Sequence, residues 1–163
     1  MRGLARLAVV LALACAACGG GGGDGGAGST DGANLDGFAT TRLSVGDAAF
    51  ETWLADSDAQ QRQGFMFATE EQLAPLADGT PRGMLFSFAS DRRLSFFMRD
   101  TAVPLDLAYA TSEGRIVEVH ALVPFDQTSV VAQQPVRYAF EARAGTFARY
   151  GIGVGDRITL PAR

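Results

Sequence analysis

A mainly β fold is predicted from this sequence: one compact antiparallel sandwich or barrel-like domain with a few short helices. Three observations predict it. Apolar and other residues alternate with period two over segments of strand length. Leu94, Phe96 and Met98 alternate with Ser95, Phe97 and Arg99, Leu105, Leu107 and Tyr109 with Asp106, Ala108 and Ala110, and Val136, Tyr138 and Phe140 with Arg137, Ala139 and Glu141. Successive side chains of a strand point to opposite faces, so this period marks half-buried strands. Turn pairs such as Gly46-Asp47, Glu113-Gly114 and Gly155-Asp156 punctuate the segments. The helix-compatible stretches are short. Many short strands without long crossover helices favour a sandwich or barrel over a doubly wound sheet.

In chain order, the domain is expected to begin near Phe38. Thr41–Val45 and Ala49–Leu54 read as a hairpin about Gly46-Asp47. Ser57–Gln63 is polar, with Gln60 three residues after Ser57 and Gly64 as a C-terminal cap, so one short helix is expected. Thr69-Glu-Glu-Gln72 repeats the capping signature and predicts a second. Asp78-Gly79-Thr80-Pro81 is a loop. Strands are then expected over Met84–Phe88, Leu94–Arg99, Leu105–Thr111, Arg115–Val123 and Val136–Glu141. Within Arg115–Val123, Val117, Val119 and Ala121 take one face and Glu118 and His120 the other. Gly145–Tyr150 is one helical turn closed by Gly151, and Arg157–Leu160 is the last strand.

The first 37 residues differ in kind. Arg2 and Arg6 precede an apolar run of small residues, Leu7–Ala17, which is too short to span a bilayer and reads as a secretory signal peptide over residues 1–18. Ala16-Ala17-Cys18-Gly19 resembles a bacterial lipoprotein cleavage box, with Cys18 as the lipidated residue and Cys15 as a rival. Residues 19–37 are rich in Gly, with five consecutive glycines at 19–23, and are expected to form a flexible tether that buries too little apolar area to order itself. Residues 38–163 form the domain. Both cysteines lie in the leader, so neither an internal disulfide nor a cysteine metal site is available to that domain. An apolar fraction of 47% is enough for a core to hold it instead.

Charge bears on partners. The chain has 14 basic residues, all arginine, against 18 acidic, a net charge of −4 that becomes −6 when Arg2 and Arg6 leave with the leader. A net acidic chain without a basic run argues against nucleic acid as a partner.

The densest mixture of residue types is Ser95–Asp106, Ser-Phe-Phe-Met-Arg-Asp-Thr-Ala-Val-Pro-Leu-Asp. Two readings apply. Asp100 caps a turn and Arg99 pairs with a carboxylate such as Glu118 or Glu141; or Arg99, Asp100, Thr101 and Asp106, with Arg62 and Glu141, converge on a polar ligand, for which the planar guanidinium fork suits a carboxylate or phosphate. Met66, Met84 and Met98 each sit near a Phe. They read as core packing, or as three thioethers for Cu(I). His120 is the one histidine, and no Gly-x-Ser-x-Gly elbow exposes a serine, so a Ser129–His120–Asp126 triad has little behind it. Asp100 and Glu118 form a conceivable carboxylate pair for glycoside cleavage. No His-Glu-x-x-His zinc spacing is present, and no metal or cofactor is expected.

The motifs Gln63–Phe67 (QGFMF), Arg82–Phe88 (RGMLFSF), Ser95–Thr101 (SFFMRDT), Pro104-Leu-Asp106, Gly114–Val117 (GRIV), Tyr138–Glu141 (YAFE), Ala144-Gly145 and Gly151–Asp156 (GIGVGD) resemble, in that order, the DUF192 (UPF0127) family. The resemblance runs from about Phe38 to Leu160. It implies a compact β fold, often exported or lipid-anchored in bacteria, and no assigned activity. Two departures stand out. The family usually has Phe-Trp-Met-Lys-Asn-Thr where this chain has Phe96–Thr101, and an Arg where this chain has Ala68.

These readings converge on an exported, membrane-anchored lipoprotein of the cell envelope, attached through its N-terminal lipid alone. Its domain is expected to be a non-enzymatic binding module for a small polar ligand or an envelope component. The alternatives are a carboxylate-dependent hydrolase acting on an envelope glycan and a Met-based Cu(I)-binding protein.

Overall fold

The computed structural model describes residues 32–160. The expected leader, with Cys15 and Cys18, and residues 19–31 of the expected tether lie outside the described residues.

The fold is mainly β. Strand β1 (Ala39–Val45) turns at Gly46-Asp47 into β2 (Ala48–Ala55), with Val45 opposite Ala48 and Ala39 opposite Leu54. Helix α1 (Asp58–Gln63) follows. Ser57 and Gln60 exchange both bonds of a capping box, as their spacing predicts. After a crossover that ends at Pro81 comes β3 (Arg82–Arg92), which pairs with β2 in parallel, Trp53 opposite Met84. This corrects the expectation of a wholly antiparallel sheet. Two adjacent parallel strands require a crossover long enough to return the chain to the same end, and residues 56–81 supply it.

The remaining pairs are antiparallel. Strand β4 (Ser95–Phe96) pairs only with β7 (Val130–Val131), in a small separate sheet. Strand β5 (Leu105–Ala110) lies between β6 (Ile116–Leu122) and β8 (Val136–Arg143), and β8 continues the sheet to β3. Helix α2 (Thr146–Tyr150) precedes β9 (Ile158–Thr159), which pairs with β1. The order is β6-β5-β8-β3-β2-β1-β9. The sheet curls until its two ends meet: Arg115 bridges to Arg157, Ile116 N donates to Asp156 O at 2.8 Å, and Ile158 N donates to Gly114 O at 2.8 Å.

Two expected elements differ. Thr69 and Gln72 do form the reciprocal capping bonds, at 3.0 and 3.2 Å, but the chain beyond them remains a hydrogen-bonded turn, with Pro75 following directly. The six-residue strand expected at Leu94–Arg99 shrinks to Ser95–Phe96, because Met98 N donates to Asp126 O in a loop instead of to a strand partner.

Alternation divides the core between two faces. The inner layer holds Val45, Phe50, Leu85, Ala108, Ile116, Phe140 and Ile158, drawn from both ends of the curled sheet. The outer layer holds Met84, Phe86, Leu105, Leu107, Tyr109 and Ala139, covered by Phe65, Leu73, Leu94, Met98 and Val103. Tyr109 pins that cover: its hydroxyl donates to Val130 O at 2.6 Å. The outer layer extends further toward the N-terminus than expected. Ala33 and Leu35, read from sequence as tether, are buried in it, and three glutamines of the crossover donate to backbone carbonyls there: Gln72 to Ala33, Gln63 to Asn34 and Gln60 to Gly37. The packed domain therefore starts before Phe38. The faces of β6 also divide differently from a simple apolar-in pattern. Val119 and Ala121 are exposed, whereas Glu118 and His120 pair across to Tyr109 and Leu107.

Candidate functional site

A cavity of about 710 Å³ lies over the outer face of the sheet. Its floor is built from β3, β5 and β8 through Phe86, Phe88, Leu105 and Glu141, and its walls from α1 with the turn after it and from the 92–101 stretch. Glu141 is the focus. On β8 its neighbours Phe140 and Ala142 enter the inner layer, so Glu141 must point to the outer face, between Met84 of β3 and Leu107 of β5. It is 4% exposed. Burial pushes its carboxyl up to about 8, and among the described residues no cation or side-chain donor pairs with it. A carboxylate without such compensation is costly to bury, so the group takes a proton instead. At neutral pH the floor presents a carboxylic acid O–H, a donor as well as an acceptor.

Aromatic rings frame this acid. Phe96 packs edge-on against Phe86 at 4.8 Å and against Tyr109 at 5.8 Å. The cations are elsewhere, around the mouth. Arg62 lies in the last turn of α1 and is exposed. Arg92 stacks over Phe88 at 4.3 Å, and Arg93 donates to Ala132 O at 2.9 Å. Arg99 lies over Phe97 at 5.4 Å, with its Nε 3.8 Å from Asp100. Aromatic faces hold two of these guanidiniums near the opening without neutralising them.

Of the residues selected from sequence, Arg62, Arg99, Thr101 and Glu141 line this one cavity. Thr101 is buried and its hydroxyl donates to Arg99 O at 3.2 Å, which fixes the turn at the cavity wall. Asp100 and Asp106 go elsewhere. Asp100 adopts φ 55°, in the left-handed region, and lines a second cavity of about 880 Å³. Asp106 points to the opposite face of the sheet from Leu105 and accepts the Phe147 amide at 2.9 Å, at the start of α2. The six-residue cluster is thus a group of four: alternation along β5 turns Asp106 to the other face, and the left-handed turn directs Asp100 to the second cavity.

Other pairings suggested by sequence are also redirected. Arg99 meets Asp100, not Glu118 or Glu141. Glu118 is engaged twice on β6, by His120 Nε2 at 3.1 Å and by the Gln133 amide at 2.8 Å, so the pair Asp100–Glu118 does not face a shared cleft at this cavity. His120 is oriented by Glu118 and not by Asp126, whose carboxylate accepts the Thr128 amide. Met84 and Met98 are buried in the outer layer, while Met66 lines both cavities. Among the described residues no three His, Cys, Asp or Glu side chains group as metal ligands.

Sequence reasoning missed Arg92, Arg93, Phe88 and Gln61, which donates to Ser87 O at 2.8 Å beneath the α1 wall. Only the adjacency of Arg92 and Arg93 to a strand end marked them, and surface arginines elsewhere carry the same mark.

The second cavity adjoins the first through Gln63 and Met66. Around it stand the non-glycine residues with positive φ: Phe67 at 64°, Asp100 at 55° and Phe125 at 61°. Asp tolerates this conformation, but for a bulky side chain it costs about 1–2 kcal/mol. Two bonds to the central turn hold the strained residues: Phe67 N donates to Asp100 O at 2.7 Å and Phe125 N to Thr101 O at 3.1 Å.

Comparison with known proteins agrees with this architecture. A protein from Sinorhizobium meliloti 1021, described as a candidate transcription regulator, has a crystal structure similar to this chain at TM-score 0.67 and 32% identity, covering 74% of this chain and 93% of that one. A protein of unknown function from Novosphingobium aromaticivorans DSM 12444 is similar at TM-score 0.68 and 28% identity, covering 87% of this chain and all of that one. No curated protein matches. Residues 41–160 match the DUF192 family, described as Uncharacterized ACR, from the first hairpin through β9. That match spans most of the chain and contains β5, β8 and both walls of the cavity; the chain belongs to the DUF192 family.

Proposed function

We propose that this chain is an exported, lipid-anchored binding module, non-enzymatic, for a small amphipathic acid. The apolar body of the ligand would lie among Phe86, Phe88 and Phe96, a polar atom of it would accept the proton of Glu141, and its anionic group would sit at the mouth with Arg62, Arg92 and Arg99. The observation that carries this reading is Glu141, an acid at the floor of an aromatic cavity with no salt-bridge or side-chain hydrogen-bond partner among the described residues. Ligand sites are typically apolar pockets with a few placed polar groups, and a buried acid without a protein partner is a group that a ligand can satisfy. The cations of the mouth disfavour a positively charged ligand and favour a carboxylate or phosphate. Export and anchoring are supported by the basic start, the apolar run Leu7–Ala17 and Ala16-Ala17-Cys18-Gly19. The description of the Sinorhizobium protein concerns that protein; a net charge of −4 without a basic run favours a small ligand over nucleic acid here.

Thermal unfolding of the chain with 7-oxooctanoate and 4-methoxyphenylacetate, whose far ends carry an acceptor for Glu141, against the neutral 2-octanone and 4-methylanisole, tests the reading. An anionic probe at a hundred times its dissociation constant stabilises by about 2.7 kcal/mol, and the neutral analogues should do much less. The shift should fade above pH 8, where an ionised Glu141 repels the probe, and persist there in Glu141→Gln. Arg62→Ala combined with Arg99→Ala should reduce it at every pH. No shift with any anionic probe, or one indifferent to both Glu141 and the arginines, would sink the proposal.

A further inference from the structure

We infer that the face carrying Phe67 and Phe125 rests on the lipid bilayer, as a second and weaker membrane contact beside the N-terminal anchor. The inference rests on the lipid-anchored reading above. Phe67 is 64% exposed, Phe125 62% and Val123, two residues before it, 64%. Two exposed aromatic rings in one place are unusual, and here the backbone is strained at both residues to present them. Phe67 and Phe125 line the second cavity together, and each is tied by its amide to the same turn, at Asp100 and Thr101. The turn, bonded to both residues, holds the strained backbone from which the rings project outward.

The position of the N-terminus selects the occupant. Gly32, Ala33 and Asn34 line this same cavity, so the first described residues lie beside the two rings. Residues 19–31 separate Gly32 from Cys18, and a chain of that length reaches at most about 45 Å at full extension. An anchor on Cys18 keeps the domain within that reach, and this face, where the described chain begins, lies nearest the attachment. At that effective concentration a contact too weak to act alone becomes populated. The preceding chain is a poor occupant for an apolar cavity, since 19–31 is Gly, Ala, Ser, Thr and Asp. Phe and Val suit the interfacial region of a bilayer, and the nearby Glu70 and Asp100 are paired with Arg143 and Arg99, so the patch carries no excess positive charge that would call for an anionic surface over a zwitterionic one.

The test uses the full chain, expressed with its own leader and reconstituted in phosphatidylcholine vesicles with or without brominated acyl chains. In a Trp53→Phe background, Phe125→Trp and, separately, Phe67→Trp report the face, and Val154→Trp is the control. Val154 is 68% exposed and lies at the Ile116 end of β6, whereas Phe125 lies beyond the Leu122 end. Brominated lipid should quench most of the emission at positions 125 and 67 and little at 154. Mass spectrometry of the N-terminal peptide reads the anchor separately. A lipidated Cys18 or Cys15 with no quenching at either position overturns the inference and leaves the anchor standing. An unlipidated mature chain overturns both. Equal quenching at all three positions shows no preferred face and overturns the inference as well.

Discussion

Asp106 Oδ2 accepts the amide of Phe147 at 2.9 Å, across from β5 to the first turn of α2. Gly145, which begins that helix at φ 84°, has no side chain to cap it, so a residue 39 positions earlier does the work of an N-cap. Asp106→Ala should therefore cost about 1 kcal/mol, read by urea denaturation, and leave probe binding at the cavity unchanged. A loss of binding at unchanged stability would return Asp106 to the ligand site.

Glu141 predicts a pH dependence with a definite sign. Its folded value is raised from 4.5 to about 8 by burial. The folded state then holds a proton that the unfolded state has released, so stability is fully present below about pH 4.5 and declines as pH rises toward 8. The slope is up to about 1.4 kcal/mol per pH unit, and it flattens above 8. Glu141→Gln should remove this component, matching the parent near pH 5 and exceeding it near pH 9. Unfolding midpoints across that range decide the matter; parallel curves for parent and variant would mean that Glu141 is ionised in the fold.

Closure of the sheet depends on Gly114. It sits at φ 77°, and a Cβ there would fall on the carbonyl oxygen of Ile158, the strand it bonds. Gly114→Ala is expected to cost about 2 kcal/mol or more. Gly151→Ala is the comparison: φ is 66° but no atom lies within 4 Å, so only the conformational cost of about 1 kcal/mol applies. Equal losses in the two variants would remove the steric argument for closure.

Leu35 tests where the domain begins. It is 7% exposed and packs in the outer layer. Leu35→Ala should destabilise by about 2 kcal/mol in chemical denaturation. A change within measurement error would restore the reading of this segment as tether.

Several features were legible because they depend on local pattern. Alternation located the strands, the Ser57–Gln60 spacing located α1, and Gly46-Asp47 located the first hairpin. The same period already assigned Phe140 and Glu141 to opposite faces. It did not say that both faces are covered, because period two distinguishes the sides of a strand and is silent on what packs against each. Glu141 becomes a buried acid only when residues 56–81 and 92–101 fold over β3, β5 and β8. The N-terminal boundary was hidden for a related reason: Ala33, Asn34 and Gly37 are held partly by side-chain amides from Gln72, Gln63 and Gln60 to backbone carbonyls, and every residue type has a carbonyl.

By itself the sequence determined the strand content, the turns, the family and the composition that excludes a cysteine site from the domain. Only the tertiary structure decided that β2 and β3 run parallel, that Asp106 belongs to α2, and that Arg62, Arg99, Thr101 and Glu141 share one cavity. The division follows range. Backbone preference and hydrophobic period act over a few residues, whereas pairing partners and burial are set by contacts between segments far apart in the chain, whose free energy appears only when the whole sheet has formed.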